Sequence, residues 1–215
     1  MKKNTVIFDI DGTLLDTTEG VLEAVKYAAS TFGYQELTYD TLLNFVGPPM
    51  QDSFVRYYGC SREKAQEAAN VYRSYYKERS LTKAVPYEGI FELCEELQKR
   101  GVKMAAASYK REDYAVKVLE YFGFDKFMAS MHGADNNNVL KKSDIINLCF
   151  TETGASREEA VYIGDTVNDA VGASGAGVDF LAVTYGFGFK TPDDITPYPF
   201  IGVADRPLDI LKLLA

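Results

Sequence analysis

Short apolar runs bounded by turn residues alternate with amphipathic stretches along most of this chain, and that alternation restricts its folding more than any other property. Residues 6–9 (VIFD) form an apolar, β-branched and aromatic run that gives way to Gly12 and Thr13, as a buried strand does on entering a loop. Comparable runs stand at 102–107, 160–164 and 179–184, with weaker ones at 127–131 and 200–203. Between them, residues 89–100, 111–122, 142–153 and 168–176 carry helical patterns, and Gly101 and Gly123 fall where helices stop. Repeated strand-then-helix units predict an α/β fold built on a parallel sheet. In such sheets ligands bind beyond the carboxyl ends of the strands.

One stretch breaks the rhythm. Between residues 17 and 83 no strand-like run occurs, and helix-like patterns follow one another at 18–32, 38–46, 49–58 and 61–79. This predicts a small α-helical subdomain, residues 17–83, inserted into a core made of 1–16 and 84–215 and hinged near 16–20 and 82–86. Ser61, and Thr17 or Thr18 ahead of Glu19, are the expected helix starts. Gly47-Pro48-Pro49 is expected to open a helix with proline in its first turn. The tyrosines at 57–58 and 72–76 have helical spacing and are assigned to packing.

With 47% apolar residues in 215, the chain can bury a sizeable core. Its 23 Lys and Arg against 31 Asp and Glu give a formal charge of −8, which opposes nucleic-acid and anionic-membrane partners. After MKK only Val6, Ile7 and Phe8 precede Asp9, too short an apolar run for a signal sequence or a membrane span, so a cytoplasmic location is expected. Cys60, Cys94 and Cys149 are widely spaced and read as reduced structural thiols. The single histidine, His132, lies in a polar stretch and is expected to meet solvent or backbone. Gly186 and Gly188 of YGFGF, like Gly172, Gly175 and Gly177, do not form the GxGxxG pattern of a dinucleotide site.

The chemistry-bearing residues gather at strand ends. Asp9-Ile10-Asp11-Gly12-Thr13 puts two carboxylates just past the first strand, followed by a glycine that lets the backbone turn beneath a ligand. Gly164-Asp165-Thr166-Val167-Asn168-Asp169 repeats the arrangement with acids four apart, and Asp169 also suits the first turn of a helix. Two acidic strand ends meet only at heavy electrostatic cost, which a hard divalent cation such as Mg²⁺ removes, commonly bringing substrate phosphate with it. Ser108 ends another strand and Lys142 opens a helix, adding a hydroxyl and a fixed positive charge. Acids, hydroxyl, cation and metal together describe a phosphoryl-transfer site.

DIDGT at 9–13, Ser108, Lys142 and GDTVND at 164–169 resemble the four ordered motifs of the haloacid dehalogenase superfamily. GVLEAVKYAASTFG, FVGPPMQDSF and the helical insertion resemble its phosphoglycolate phosphatase-like branch, which has an α-helical cap. The resemblance implies a Rossmann-like core and a Mg²⁺-dependent phosphatase for a small phosphorylated metabolite, working as a monomer or homodimer. It implies that Asp9 is the nucleophile and forms an aspartyl-phosphate, and that Asp11 is the acid and base. It places Asp9, the Asp11 backbone carbonyl and Asp165 on the metal, with Asp169 in support, and Ser108, Lys142, Gly12 and Tyr109 around the phosphoryl group. Lys141 is the alternative to Lys142, and Tyr109 stands where the family commonly has a small residue. Phosphoglycolate, a 5′-nucleotide and a sugar phosphate all remain open as substrates, with Arg56, Lys77 and Arg79 as candidates for a second anionic group. A receiver-type module that only holds a phosphoryl group shares much of this residue set, but leaves Asp11 and the insertion without a task.

Overall fold

A computed structural model describes residues 3–137 and 139–214. Met1 and Lys2 of the charged amino terminus and Asn138 of the polar stretch lie outside the described residues. The chain divides into two compact units, Met1–Asp16 with Pro86–Ala215, and Thr17–Val85.

The first unit is built on a six-stranded, all-parallel sheet. Its strands are β1 (Thr5–Phe8), β2 (Lys103–Arg111), β3 (Met128–Ala134), β4 (Ala160–Gly164), β5 (Asp179–Val183) and β6 (Gly202–Ala204), in the spatial order β3-β2-β1-β4-β5-β6. Thus β1 is central, with Thr5 in register with Lys103 on one side and Ala160 on the other. Every residue of β1 is buried, which is why its sequence is a continuous apolar run and not an alternating one. The chain builds outward from β1 to one side and then to the other, so the crevice where the order reverses lies beyond Phe8 and Gly164.

In the second unit, α1 (Thr18–Thr31), α2 (Tyr39–Leu43), α3 (Met50–Tyr58) and α4 (Arg62–Tyr75) pack around Phe45, Phe54 and Tyr76. Ser61 caps α4 by accepting from the Lys64 amide at 3.3 Å. Thr17 takes the N-cap position of α1 without a side-chain capping bond, and Pro49 stands at the N-cap of α3, one place before the expected first turn. The tyrosines do pack: Tyr72 stacks on Tyr76, and Tyr58 on Tyr34 and Phe54. Helix α4 does not run on as α-helix to residue 79; it widens into a π turn, Tyr76–Ser80.

The first unit's main helices are α5 (Ile90–Lys99), α6 (Glu112–Phe122), α7 (Lys142–Thr153) and α8 (Val167–Ala176). Ile145, Ile146 and Cys149 of α7 and Ala170 and Ala173 of α8 join Ile7, Ala105, Ala107 and Tyr162 in one core cluster. Cys94 and Cys149 are buried thiols, and no disulfide joins the cysteines. The His132 ring meets carboxylates instead of backbone: its nitrogens lie 3.4 Å from Glu112 and 2.9 Å from Glu152. Leaving the first unit at Asp16 and re-entering at Pro86, the chain is stitched at that gap by the Tyr87 amide donating to Leu14 at 3.2 Å. No described helix is long and apolar enough to cross a membrane.

Within the helical unit, Glu23 accepts from Ser80 at 2.5 Å, from Lys83 at 2.8 and 2.9 Å and from Tyr75 at 3.3 Å. These bonds, led by Lys83, hold the Glu23 carboxyl below its ordinary range. A carboxylate with a lowered folded-state pKa contributes stability above its unfolded pKa and loses it as pH falls through the folded value. Because the pair is partly exposed, Glu23→Gln is expected to cost about 1 kcal/mol or less near neutral pH. Paired urea titrations of wild type and variant check this: the difference shrinks as pH falls below about 4.5, the unshifted glutamate value.

Candidate active site

Three carboxylates meet at the ends of the central strands. Asp9 follows β1, Asp165 follows β4, and Asp169 sits in the first turn of α8; one oxygen from each lies within 4.8 Å of the others, and all three residues are buried. Asp169 is fixed by capping: its Oδ2 accepts from the Thr166 amide at 2.9 Å and hydroxyl at 2.7 Å, while Thr166 Oγ1 accepts from the Asp169 amide. Its Oδ1 faces Tyr162, whose hydroxyl lies 3.1 Å from it and 2.8 Å from the Ala107 carbonyl.

Lys142 supplies the positive charge. Its Nζ lies 2.8 Å from Asp9 Oδ1 and 2.9 Å from Asp169 Oδ1, with 3% of the side chain exposed. Of the two adjacent lysines, Lys142 enters the cluster, whereas Lys141 is exposed at the helix N-cap, its amide donating to Asp144 at 2.9 Å. Tyr109 fastens this start of α7 by accepting from the Lys142 amide at 3.0 Å. Space for the lysine stem comes from α8: a methyl at Gly172 would fall 2.5 Å from Lys142 Cγ.

Asp11 is turned to a different partner. Its Oδ1 pairs with Lys110 Nζ at 2.9 Å, with 10% and 5% of the two side chains exposed. Lys110 was not among the residues singled out from sequence. It lies two positions beyond Ser108, on the same side of a strand by the period-two rule, but the strand was expected to stop at 107. In fact β2 runs on to Arg111 after a break in register against β3 between Ala107 and Arg111. Ser108 is buried, and its hydroxyl accepts from the Lys110 amide at 3.2 Å. Gly12 has φ +86°, and a methyl there would lie 2.3 Å from Asp165 Oδ2, so the close approach of the two acidic loops requires glycine. The Gly12 amide donates to the Leu15 carbonyl at 2.9 Å.

The electrostatics of the cluster are unbalanced. Burial, reinforced by the charge of Asp169 and only partly offset by Lys142, pushes the Asp9 carboxyl up to about 7. Burial, with Asp169 and Asp9, also pushes Asp165 well above the carboxylate range. For Lys142 burial works downward, but Asp169 and Asp9 outweigh it and raise the ammonium above its ordinary value. Among the described residues, Asp165 Oδ1 is a fully buried oxygen with no hydrogen-bond partner. An orphaned carboxylate oxygen beside two further acids suits a hard divalent cation, which takes oxygen ligands and cancels like-charge repulsion.

The fold is an α/β architecture that gathers this acidic cluster at the carboxyl ends of a parallel sheet. Residues 6–183 match the family model of the haloacid dehalogenase-like hydrolases. A 5′-nucleotidase of Pseudomonas aeruginosa is 33% identical over 184 residues, covering 85% of this chain and 83% of that one. Pyrophosphatase PpaX of Halalkalibacterium halodurans is 31% identical over 186 residues, 86% of this chain and 85% of that one. The crystal structure of a predicted phosphatase from Clostridium acetobutylicum superposes with a TM-score of 0.91 at 29% identity, covering 99% of this chain and all of that one. The chain belongs to the haloacid dehalogenase-like hydrolase family, and it is a phosphatase of that family, a phosphoric monoester hydrolase.

A carboxyl whose pKa is higher in the folded than in the unfolded state makes the folded protein bind more protons, so stability falls as pH rises between the two values. In EDTA the thermal midpoint of wild type is therefore expected to fall relative to that of Asp9→Asn as pH rises from about 4 to about 7, between the ordinary aspartate value and that of folded Asp9. The midpoint gain on adding a divalent cation should be larger at pH 7.5 than at pH 5, which differential scanning calorimetry can measure.

Proposed function

We propose that the protein is a Mg²⁺-dependent phosphatase that hydrolyses a small phosphate monoester through an aspartyl-phosphate on Asp9. The observation that carries this reading is the pairing of Lys142 with Asp9 at 2.8 Å inside a cluster completed by Asp165 and Asp169. Asp9, the Asp11 carbonyl and Asp165 would hold the metal, with Asp169 supporting them, and a bound Mg²⁺ supplies positive charge that keeps Asp9 ionised and offsets the phosphoryl oxygens.

A carboxylate oxygen of Asp9 attacks phosphorus; the new O–P bond forms as the bond from phosphorus to the substrate oxygen breaks. Asp11 gives its proton to the departing alcohol oxygen. In the second half Asp11 takes a proton from water, whose oxygen attacks phosphorus and breaks the bond to Asp9, releasing inorganic phosphate. Lys142 and Ser108 hold the phosphoryl oxygens, and Lys142 also keeps Asp9 oriented through its second pairing with Asp169. Gly12 and Tyr109 complete the phosphate pocket, the first by letting Asp165 approach and the second by fixing the Lys142 backbone. The 5′-nucleotidase and the pyrophosphatase among the relatives differ in what leaves phosphorus, which supports a shared hydrolytic core with a variable leaving group. A phosphoglycolate, a 5′-nucleotide and a sugar phosphate all meet this description.

Two measurements test the reading. Asp9→Asn is expected to abolish phosphate release from p-nitrophenyl phosphate, and EDTA to do so reversibly; near-wild-type turnover by the variant overturns the assignment. Asp11→Asn is expected to lower kcat about 10²- to 10⁴-fold, the usual range for general acid-base catalysis, on alkyl and aryl esters alike because the second half needs the base, whereas single-turnover release of the leaving group should fall less for the aryl ester, which needs no proton. A phosphate-release screen over phosphorylated metabolites with Mg²⁺ present then ranks the substrates.

A further inference from the structure

The segment Tyr-Gly-Phe-Gly-Phe at 185–189, which matches no nucleotide-binding pattern, is wrapped around Asp165. Three successive amides point at that one residue: Phe187 N donates to Oδ2 at 2.6 Å, Gly188 N to Oδ2 at 3.1 Å, and Phe189 N to the backbone oxygen at 2.7 Å. Both donors to the carboxylate take the same oxygen, and the other, Oδ1, is the buried atom without a partner. The segment also reaches the first acidic loop, because the Tyr185 hydroxyl donates to the Thr13 carbonyl at 3.1 Å. At its far end Phe189 is buried, its ring 6.4 Å from that of Phe180 and 6.2 Å from that of Tyr198.

Both glycines are required by contact. A methyl at Gly186 would fall 2.2 Å from the Gly12 carbonyl oxygen and 2.4 Å from Asp165 Oδ2; one at Gly188 would fall 2.4 Å from the Asp165 backbone oxygen and 3.0 Å from Thr166 Cα. Most of these neighbours are backbone and cannot swing aside.

We propose that residues 185–189 form a positioning strap for the metal centre: the amides of Phe187 and Gly188 occupy Asp165 Oδ2 and thereby present Oδ1 alone to the cation, while Gly186 and Gly188 set the spacing between the two acidic loops. This rests on the Mg²⁺-dependent reading above. Partners that orient metal ligands typically change metal affinity 10- to 100-fold when lost. The strap acts through Asp165 and touches no reacting atom.

The test is Mg²⁺ affinity, measured by isothermal titration calorimetry on the full chain with no substrate present. Gly188→Ala and Gly186→Ala are expected to bind Mg²⁺ at least about tenfold more weakly than wild type, as expected for lost ligand orientation. Phe187→Ala, which keeps the amide, should bind as wild type does. Folded glycine variants with unchanged affinity overturn the proposal. Wild-type protein provides a second measurement that survives a misfolded variant: hydrogen exchange of the Phe187 and Gly188 amides in EDTA. Protected amides whose shifts follow Mg²⁺ titration support the strap, and freely exchanging amides overturn it. If wild type itself takes up no Mg²⁺, the metal-dependent reading fails along with the strap; if wild type binds and the variants match it, only the strap is lost.

Discussion

Three carboxylates buried within reach of one another, with a single lysine among them, are the constraint around which the rest of the molecule is arranged. Like charges taken out of water repel strongly and lose their hydration, so such a cluster persists only where the surrounding chain leaves it no alternative. Here each acid is fixed by a different device: a strand end for Asp9, a capping pair for Asp169 and a set of loop amides for Asp165. Lys142 bridges two of them and is itself held by the Tyr109 hydroxyl at its own amide. The resulting deficit of positive charge leaves one oxygen of Asp165 unanswered. A cation or a protonated acid satisfies the cluster, and the two differ in whether all three carboxylates stay ionised.

The sheet is what makes so costly a cluster affordable. Burial of β1 on both faces, with β2 and β4 in register on either side, brings the ends of three adjacent strands to one place. Tyr162 adds a polar link across the middle, since its hydroxyl on β4 reaches the Ala107 carbonyl on β2 past the intervening strand. Small residues then allow close approach where side chains would collide: Gly12 beside Asp165 and Gly172 beside the stem of Lys142. The clustered side chains are thus held by regular elements and short loops, where little conformational freedom is left to lose on binding a ligand.

Much of this was legible in the sequence because the relevant signals are local. An apolar run followed by DxDG, and Asp169 placed to suit the first turn of a helix, state both the element and the acid it carries; the Thr166 cap that fixes Asp169 shows only in the fold. Lys142 was readable as the first residue of a helix, though only the fold distinguishes it from Lys141 by burying one and exposing the other. What stayed hidden depends on contacts distant in sequence. Lys110 was missed because β2 outlasts its apolar residues and continues through Lys110 to Arg111, where hydrophobicity no longer marks a strand. The YGFGF segment fits no dinucleotide pattern, and its meaning lies in Asp165, some twenty positions earlier. His132 likewise finds Glu112 and Glu152 only because β3 lies beside the helices that carry them.

The hydrogen bond from Tyr87 to Leu14 has an evolutionary consequence. Residues 17–85 leave and return through a doorway that the sheet-bearing unit closes by itself, and the entropic cost of spanning a fixed gap grows only slowly with the length of chain that spans it. Excursions of other sizes and sequences can therefore be exchanged at this point while the acids remain in place.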